Sequence, residues 1–290
     1  MLLYVGTWAP SWGHTWIARG FGKTYALKSL AGGSFLCVDG KAFPTPGEHS
    51  CHITLLKKQA VVSDYTSGTL SVFPLREDGM PAGKPLVYRF HEKGSHIHSS
   101  WISPEKDRLV VADLGSDCLY RFPVRDGALF TEGMETFPMP PDCGPRHCAF
   151  CRGMLYVSTE RSDEVLVLEH PSMELRQRIV ANPERPGGGG HILPSPDGRF
   201  LYMSCRLKND GIAIFRILEN GLLENAGYCR TGMHPRHFCL TPDGTNLLAA
   251  CRDDHAIQLF NRSAETGSLT FSGQEISVEK PVFVEVYEEN

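Results

Sequence analysis

One unit of sequence recurs along this chain, and its recurrence constrains the fold more than any other feature. The template is SHIHSSWISPEKDRLVVADLGSDCLYRFPV, from Ser95 to Val124. It holds a His-containing lead-in, an alternating run (Ser99 to Ser103), a turn (Pro104 to Asp107), a second apolar run (Leu109 to Ala112), a polar loop and a third run (Leu119 to Val124). Three short strands joined by tight turns make an antiparallel meander. The same grammar returns as CHITLLKKQAVVSDYTSGTLSVFPL from Cys51, RHCAFCRGMLYVSTERSDEVLVL from Arg146, GHILPSPDGRFLYMSCRLKNDGIAIFRI from Gly190 and RHFCLTPDGTNLLAACRDDHAIQLFNR from Arg236.

Asp-Gly and Asn-Gly pairs tolerate positive φ and suit hairpin turns. Here they punctuate the units at fixed places, after the first strand (Asp197-Gly198, Asp243-Gly244) and after the third (Asp78-Gly79, Asp126-Gly127, Asn220-Gly221). A fourth strand is expected after each closing turn, as in Ala128 to Phe130 and Ser268 to Phe271. Four antiparallel strands per repeat of this period predict an all-β chain, a β-propeller of four-stranded antiparallel blades. The histidines His52, His98, His147, His191 and His237 are spaced 46, 49, 44 and 46 residues apart, and one more period lands on Pro281 to Val284. The repeat count is therefore six blades. The alternative is seven, with a degenerate N-terminal blade in residues 1–50, where LLYVGTW, TYALKSL and SFLCV read as strands and Trp8, Trp12 and Trp16 as apolar anchors of a loop. The ring is expected to close through the N- and C-terminal strands, which removes open sheet edges. Residues 1–290 then form a single domain.

A net charge of −4 does not favour polyanions as partners, so nucleic acid is not expected. MLLYVGTWAPSWG has neither a basic leader nor an apolar run long enough to span a bilayer, which predicts a cytoplasmic protein with no membrane association. The ten cysteines are expected to be reduced. Cys148 and Cys151 form the one C-x-x-C pair, but positions three apart on a strand face opposite sides and no second pair completes a zinc site. No metal and no cofactor are expected.

In a propeller blade the start of the first strand and the end of the second share one rim. First-strand starts supply His52, His96, His98, Arg146, His147, His191, Arg236 and His237; second-strand ends supply Asp64, Asp113, Glu160, Arg206 and Arg252. Imidazoles move protons near neutral pH, guanidiniums grip carboxylate or phosphate, and carboxylates orient both. Each of these histidines could instead be a strand-start cap, and the arginines could serve only as ion-pair bridges. Gly187 to Gly190 precedes a strand pattern rather than a helix, so it is a weak sign of nucleotide binding.

The motifs IHSSWISP with VADLGSD, GPRHCAF with LYVSTE, SPDGRFLYMSCR, and HPRHFCLTPDG with ETGSL together resemble the propeller-type lactonase family. That family includes bacterial 6-phosphogluconolactonases of the propeller class and fungal carboxymuconate lactonizing enzymes. The resemblance implies that His98, Arg146, Glu160 and Arg236 carry the chemistry; the remaining rim residues His52, His96, His147, His191, Arg206, His237 and Arg252 are expected, from their place on the rim, to bind substrate. It also implies seven blades, and Asn at the positions held here by Thr159, Cys205 and Cys251. The implied activity is hydrolysis of a sugar-acid lactone carrying a negative group, 6-phosphogluconolactone first, with the small anionic substrate as the partner. Lactonization of an unsaturated dicarboxylate and a non-enzymatic binding propeller are the alternatives.

Overall fold

The structure is a computed structural model that describes residues 1–8, 15–30, 32–90 and 94–288. Among these residues there is no α-helix, and no helix long and apolar enough to cross a membrane. The fold is all-β, a β-propeller of antiparallel blades. The chain divides into two compact units, Met1–Ala9 with Arg146–Asn290, and Pro10–Pro145.

In the unit Pro10–Pro145, three meanders follow one another. Trp16–Gly20, Lys23–Leu30, Gly33–Val38 and Lys41–Pro44 form the first, and Ser50–Leu55, Gln59–Asp64, Thr69–Pro74 and Leu86–Arg89 the second. The third contains Ile97–Ile102, Arg108–Asp113 and Cys118–Arg125. Its last strand pairs with both the two-residue Ala128–Leu129 and the longer Glu135–Pro138. The fourth strand expected at Ala128 to Phe130 is thus only a short extension, and Glu135–Pro138 is the fuller partner.

The other unit holds three four-stranded meanders, which begin at Pro145–Cys151, Gly189–Pro194 and Pro235–Leu240, and a two-stranded sheet of Leu2–Thr7 with Pro281–Tyr287. Six blade-type sheets result, as the repeat count expects, but their composition differs from that expectation. Residues 16–44 make a four-stranded sheet of their own, and the unit that begins at Pro281 gains only Leu2–Thr7 as partner. Trp16 opens a strand rather than anchoring a loop, and Trp12 lies outside the described residues.

The physical basis of the stack is visible in the central strands. Val61, Val111, Tyr156, Met203 and Ala249 are buried on second strands, as expected where sheets pack face to face. One core lies between the sheets of residues 145–180 and 189–230, another between the latter and residues 235–277. The closing turns supply polar registration. The Tyr156 hydroxyl donates to the Gly221 carbonyl (2.8 Å) and Tyr202 to Gly267 (2.8 Å), so a second-strand tyrosine clasps the turn of the next sheet. These turns need glycine, with φ of 78° at Gly221 and 74° at Gly267.

Two recurring backbone features shape the rim. Three first strands carry a one-residue bulge at their start: Ser50 pairs with Asp64 and His52 with Ser63; Ile97 with Asp113 and Ser99 with Ala112; Pro235 with Cys251 and His237 with Ala250. Cys51, His98 and Arg236 are the extra residues, and a bulge re-aims the side chain it carries. His98 therefore shares its place with Arg236, not with His52 and His237 as the histidine spacing suggests. In addition, the residue just past the second strand donates its N–H to the lead-in of the first, Arg206 to Gly188 (3.0 Å) and Arg252 to His234 (3.1 Å). This tie brings the two ends of each blade together on one rim.

Candidate active site

Arg146 is on the first strand of its sheet, and Glu160 follows the second strand Met154–Thr159. Arg146 Nε donates to Glu160 Oε2 at 2.8 Å, and Arg206 Nη2, from the next sheet, donates to the same oxygen at 2.9 Å. Both guanidiniums are buried. Arg206 is fixed further by the carbonyls of Gly188 (2.8 Å) and Gly189 (2.9 Å). Burial alone would push the Glu160 carboxyl up, but the guanidiniums of Arg206, Arg146 and Arg236 outweigh it and hold the group below the ordinary carboxylate range. Glu160 is ionised and is the counter-ion of a cationic cluster.

The glycine run has a structural explanation. Gly187 and Gly188 donate their N–H groups to Asp163 at 2.7 and 3.0 Å, so these amides are occupied by a carboxylate of the chain itself. A Cβ on Gly189 would sit 2.0 Å from the Thr159 carbonyl oxygen. Gly189 is thus pressed against the second strand of the preceding blade, a Cβ on Gly188 or Gly190 would meet the Arg206 carbonyl oxygen (2.3 Å) or Ser204 Oγ (2.2 Å) of their own blade, and Gly187 has a φ of 81°.

His147, His191 and His237 are buried in series beside the arginine cluster. Arg146 Nη1 lies 3.4 Å from His147 Nε2, and since a guanidinium only donates, Nε2 accepts and Nδ1 carries the proton in neutral His147. That proton points at His191 Nδ1, 2.9 Å away. His191 stacks on His237 at 4.0 Å, and the backbone N–H of Val284 donates to His237 Nδ1 at 3.4 Å. Hydrogen bonds and stacking orient all three rings.

Arg236 and Arg252 lie over the ring of Trp8, with guanidinium carbons 4.4 and 5.0 Å from its centroid. Arg252 also forms two hydrogen bonds with Asp253 (2.6 and 2.9 Å). His234 Nδ1 faces Asp253 Oδ2 at 3.5 Å. Burial first, then the charges of Arg206, Arg252 and Arg236, push the His234 imidazole down to about 3. Sequence reasoning missed Trp8, His234 and Asp253. The one signal for His234 and Asp253 was the adjacency of acid and imidazole to arginines in HPRH and CRDD.

His52, His96 and His98 belong to the unit Pro10–Pro145. His52 is buried between Trp16 (4.3 Å) and Trp101 (4.8 Å). His96 stacks on Tyr65 at 4.7 Å, its Nδ1 donating to the Tyr65 carbonyl at 3.0 Å, and its backbone N–H donates to Asp113 at 2.8 Å. His98 is buried with its ring edge-on to Tyr65 at 5.8 Å. Asp64 is sealed and accepts from Ser50, Ser71 and Thr69. Of the expected residues, one unit thus gathers Arg146, His147, Glu160, His191, Arg206, Arg236, His237 and Arg252, and the other His52, His96 and His98.

Residues 37–286 match the family model described as lactonase, 7-bladed beta-propeller. The chain belongs to this lactonase family. It is 34% identical over 259 residues to a 6-phosphogluconolactonase of Bacillus subtilis, which covers 82% of this chain and 73% of that protein. A 6-phosphogluconolactonase of Formosa agariphila is also 34% identical, over 80% of this chain and 72% of the relative. A crystal structure from Bacteroides fragilis, provisionally assigned to 6-phosphogluconolactonase, superimposes with a TM-score of 0.92 at 29% identity, covering 99% of this chain and 97% of that one. Family and relatives make the chain an enzyme of the lactonase type. The described residues form six larger sheets and the two-stranded sheet of Leu2–Thr7 with Pro281–Tyr287, whereas the family model's description has seven blades.

Proposed function

We propose that the chain hydrolyses a sugar-acid lactone bearing an anionic group, with 6-phosphogluconolactone the leading substrate. The observation that carries this reading is the single Glu160 oxygen shared by Arg146 and Arg206, with Arg236 near enough to lower its pKa. Such a cluster is cationic, held rigid, and partly open at the carboxylate. The curated relatives named 6-phosphogluconolactonase support the substrate choice.

In the proposed reaction water adds to the lactone carbonyl carbon, and negative charge develops on the carbonyl oxygen. The ring C–O bond then breaks, and the ring oxygen leaves with a proton to give the open hydroxy acid. Guanidinium N–H groups stabilise the oxyanion and hold the substrate's negative group. Ionised Glu160 cannot supply a proton; it fixes the guanidiniums and can accept one from the attacking water. On chemical grounds and by family resemblance, His98 is proposed as a proton carrier.

The test is turnover of 6-phosphogluconolactone, glucono-δ-lactone and a muconolactone by wild type, Arg146→Ala and His98→Asn. Loss of an oxyanion donor should lower the rate about 10²- to 10³-fold in Arg146→Ala, and His98→Asn should lower kcat. Wild type that opens no lactone above the uncatalysed rate overturns the reading. A muconolactone preferred over both sugar lactones moves it to the cycloisomerase class.

A further inference from the structure

Trp8 sits 41% exposed just past the strand Leu2–Thr7, an uncommon place for the largest side chain unless its ring has work at the surface. Its backbone is anchored, since the Trp8 N–H donates to the Lys280 carbonyl at 3.0 Å, at the entrance to the strand Pro281–Tyr287. Its ring is within cation–π range of two guanidiniums, Arg236 at 4.4 Å and Arg252 at 5.0 Å. These come from the two ends of one blade, Arg236 from the bulge in the first strand and Arg252 from just past the second. Like charges brought together need compensation, and three features of this corner supply it. The electron-rich face of the indole attracts both cations, Asp253 neutralises Arg252 through two hydrogen bonds, and the nearby His234 is held neutral. His234 Nε2 is buried without a hydrogen-bond partner among the described residues, so the corner contains a polar acceptor or donor that none of them satisfies. With Asp253 drawing the proton to Nδ1, that atom is an acceptor, suited to a hydroxyl donor and not to an anion.

We propose that Trp8 is a positioning residue, which sets Arg236 and Arg252 to receive the anionic group of the substrate. The inference rests on the lactonase reading above and deepens it. The Trp8 corner takes the phosphate or carboxylate, with His234 accepting from a neighbouring hydroxyl, so the favoured ligand is a polyhydroxylated acid. Trp8 touches no reacting atom; it acts through the orientation of the two guanidiniums. A flat aromatic ring is what the role requires, so phenylalanine should replace it and an aliphatic side chain should not.

The test compares wild type with Trp8→Leu and Trp8→Phe, using 6-phosphogluconolactone and glucono-δ-lactone as substrates and calorimetric binding of 6-phosphogluconate as a readout independent of turnover. Loss of one to two exposed cation–π contacts should raise KM for the phosphorylated lactone, and Kd for 6-phosphogluconate, by about 5- to 10-fold in Trp8→Leu. Trp8→Phe should recover most of that loss. The rise in KM should exceed that for glucono-δ-lactone several-fold, with kcat for the phosphorylated substrate within about two-fold of wild type. Because Trp8 is exposed, the variants are expected to melt with wild type. Equal losses on both lactones, a fall in kcat without a change in KM, or a Phe variant as weak as the Leu variant would each overturn the proposal. Should wild type bind 6-phosphogluconate yet open no lactone, the hydrolase reading fails while the binding comparison still decides the role of Trp8. No binding of 6-phosphogluconate by wild type overturns the inference outright.

Discussion

Arg146 is 2% exposed and lies 2.8 Å from Glu160, whose side chain remains 29% open to solvent. A sealed cation is therefore compensated by an anion that solvent can still reach. Arg206 leans on the same carboxylate from the neighbouring sheet, so one side chain neutralises charge delivered by two blades. An anionic ligand approaching this rim meets guanidiniums whose orientation is already fixed, which is the preorganisation that electrostatic catalysis requires.

Replacing Glu160 by Gln keeps the shape and removes the charge, so it tests this relationship directly. Breaking a buried pair by deleting one partner costs about 3–5 kcal/mol, because the other charge is left uncompensated. Glu160→Gln should lower the free energy of urea unfolding by that amount and move the midpoint down accordingly, and added inorganic phosphate should restore part of the loss by occupying the vacated place. A midpoint equal to that of wild type would mean that Arg146 and Arg206 find other counter-ions without difficulty.

The glycine run gives a second point of leverage on the same cluster. Adding a methyl group at Gly189 drives it into the Thr159 backbone, with 2.0 Å between a Cβ and the carbonyl oxygen. Thr159 directly precedes Glu160, and the Gly189 carbonyl holds Arg206, so the strain falls on both members of the ion pair. Gly189→Ala should cost about 1–3 kcal/mol, as overpacking does, and should reduce turnover beyond what stability explains. Full activity in this variant would show that the Glu160–Arg206 geometry tolerates displacement.

What the sequence disclosed and what it hid follow from the physics of each signal. The second strands were legible because both of their faces are buried, as in the apolar run Leu109 to Ala112. The sheet of residues 16–44 was not parsed, although Asp39-Gly40 is a hairpin signal with φ of 45° and 82°. Another of its hairpins turns on Phe21-Gly22, where the positive φ falls on an aromatic residue that composition would not select. The rim was deducible, since strand ends of an antiparallel pair must meet, and Arg146, Glu160 and Arg206 do meet. The bulge at His98 and Arg236 was not deducible. It is a one-residue slip of backbone register with no residue type of its own, and the histidine spacing led to His52 and His237 as its equivalents. Trp8 was beyond reach for another reason: its partners lie more than 200 residues away, on a blade with no sequence tie to it.

His234 should stay neutral across the working range. Its folded-state pKa of about 3 lies below the ordinary 6.5, chiefly through burial and then through the surrounding guanidiniums. For a base with a depressed pKa the contribution to stability is complete above 6.5 and is lost as pH falls toward 3. The imidazole Cε1 proton shift of His234 should be flat from pH 8 to pH 5. Relative to His234→Asn, wild type should lose about 1.4 kcal/mol per pH unit below 6.5. A midpoint near 6.5 in the shift would show that the cluster does not repel the charged form.

Asp64 titrates in the opposite sense. Burial pushes its carboxyl up to about 6, against hydrogen bonds from Ser50, Ser71 and Thr69 that favour the ionised form. The folded pKa lies above the ordinary value of 3.8, so the folded state binds the proton more tightly than the unfolded chain does. The stabilisation is therefore complete below about 3.8 and disappears as pH rises through about 6, a change of about 3 kcal/mol. Asp64→Asn resembles the protonated state at every pH and should lack this dependence. Subtracting the variant's unfolding free energy from that of wild type cancels the other titrating groups to first order. The difference should fall by about 2.4 kcal/mol between pH 4 and pH 7. A difference that rises with pH instead would mean that the three hydroxyls outweigh burial and hold Asp64 ionised, making it an anionic fixture of its blade.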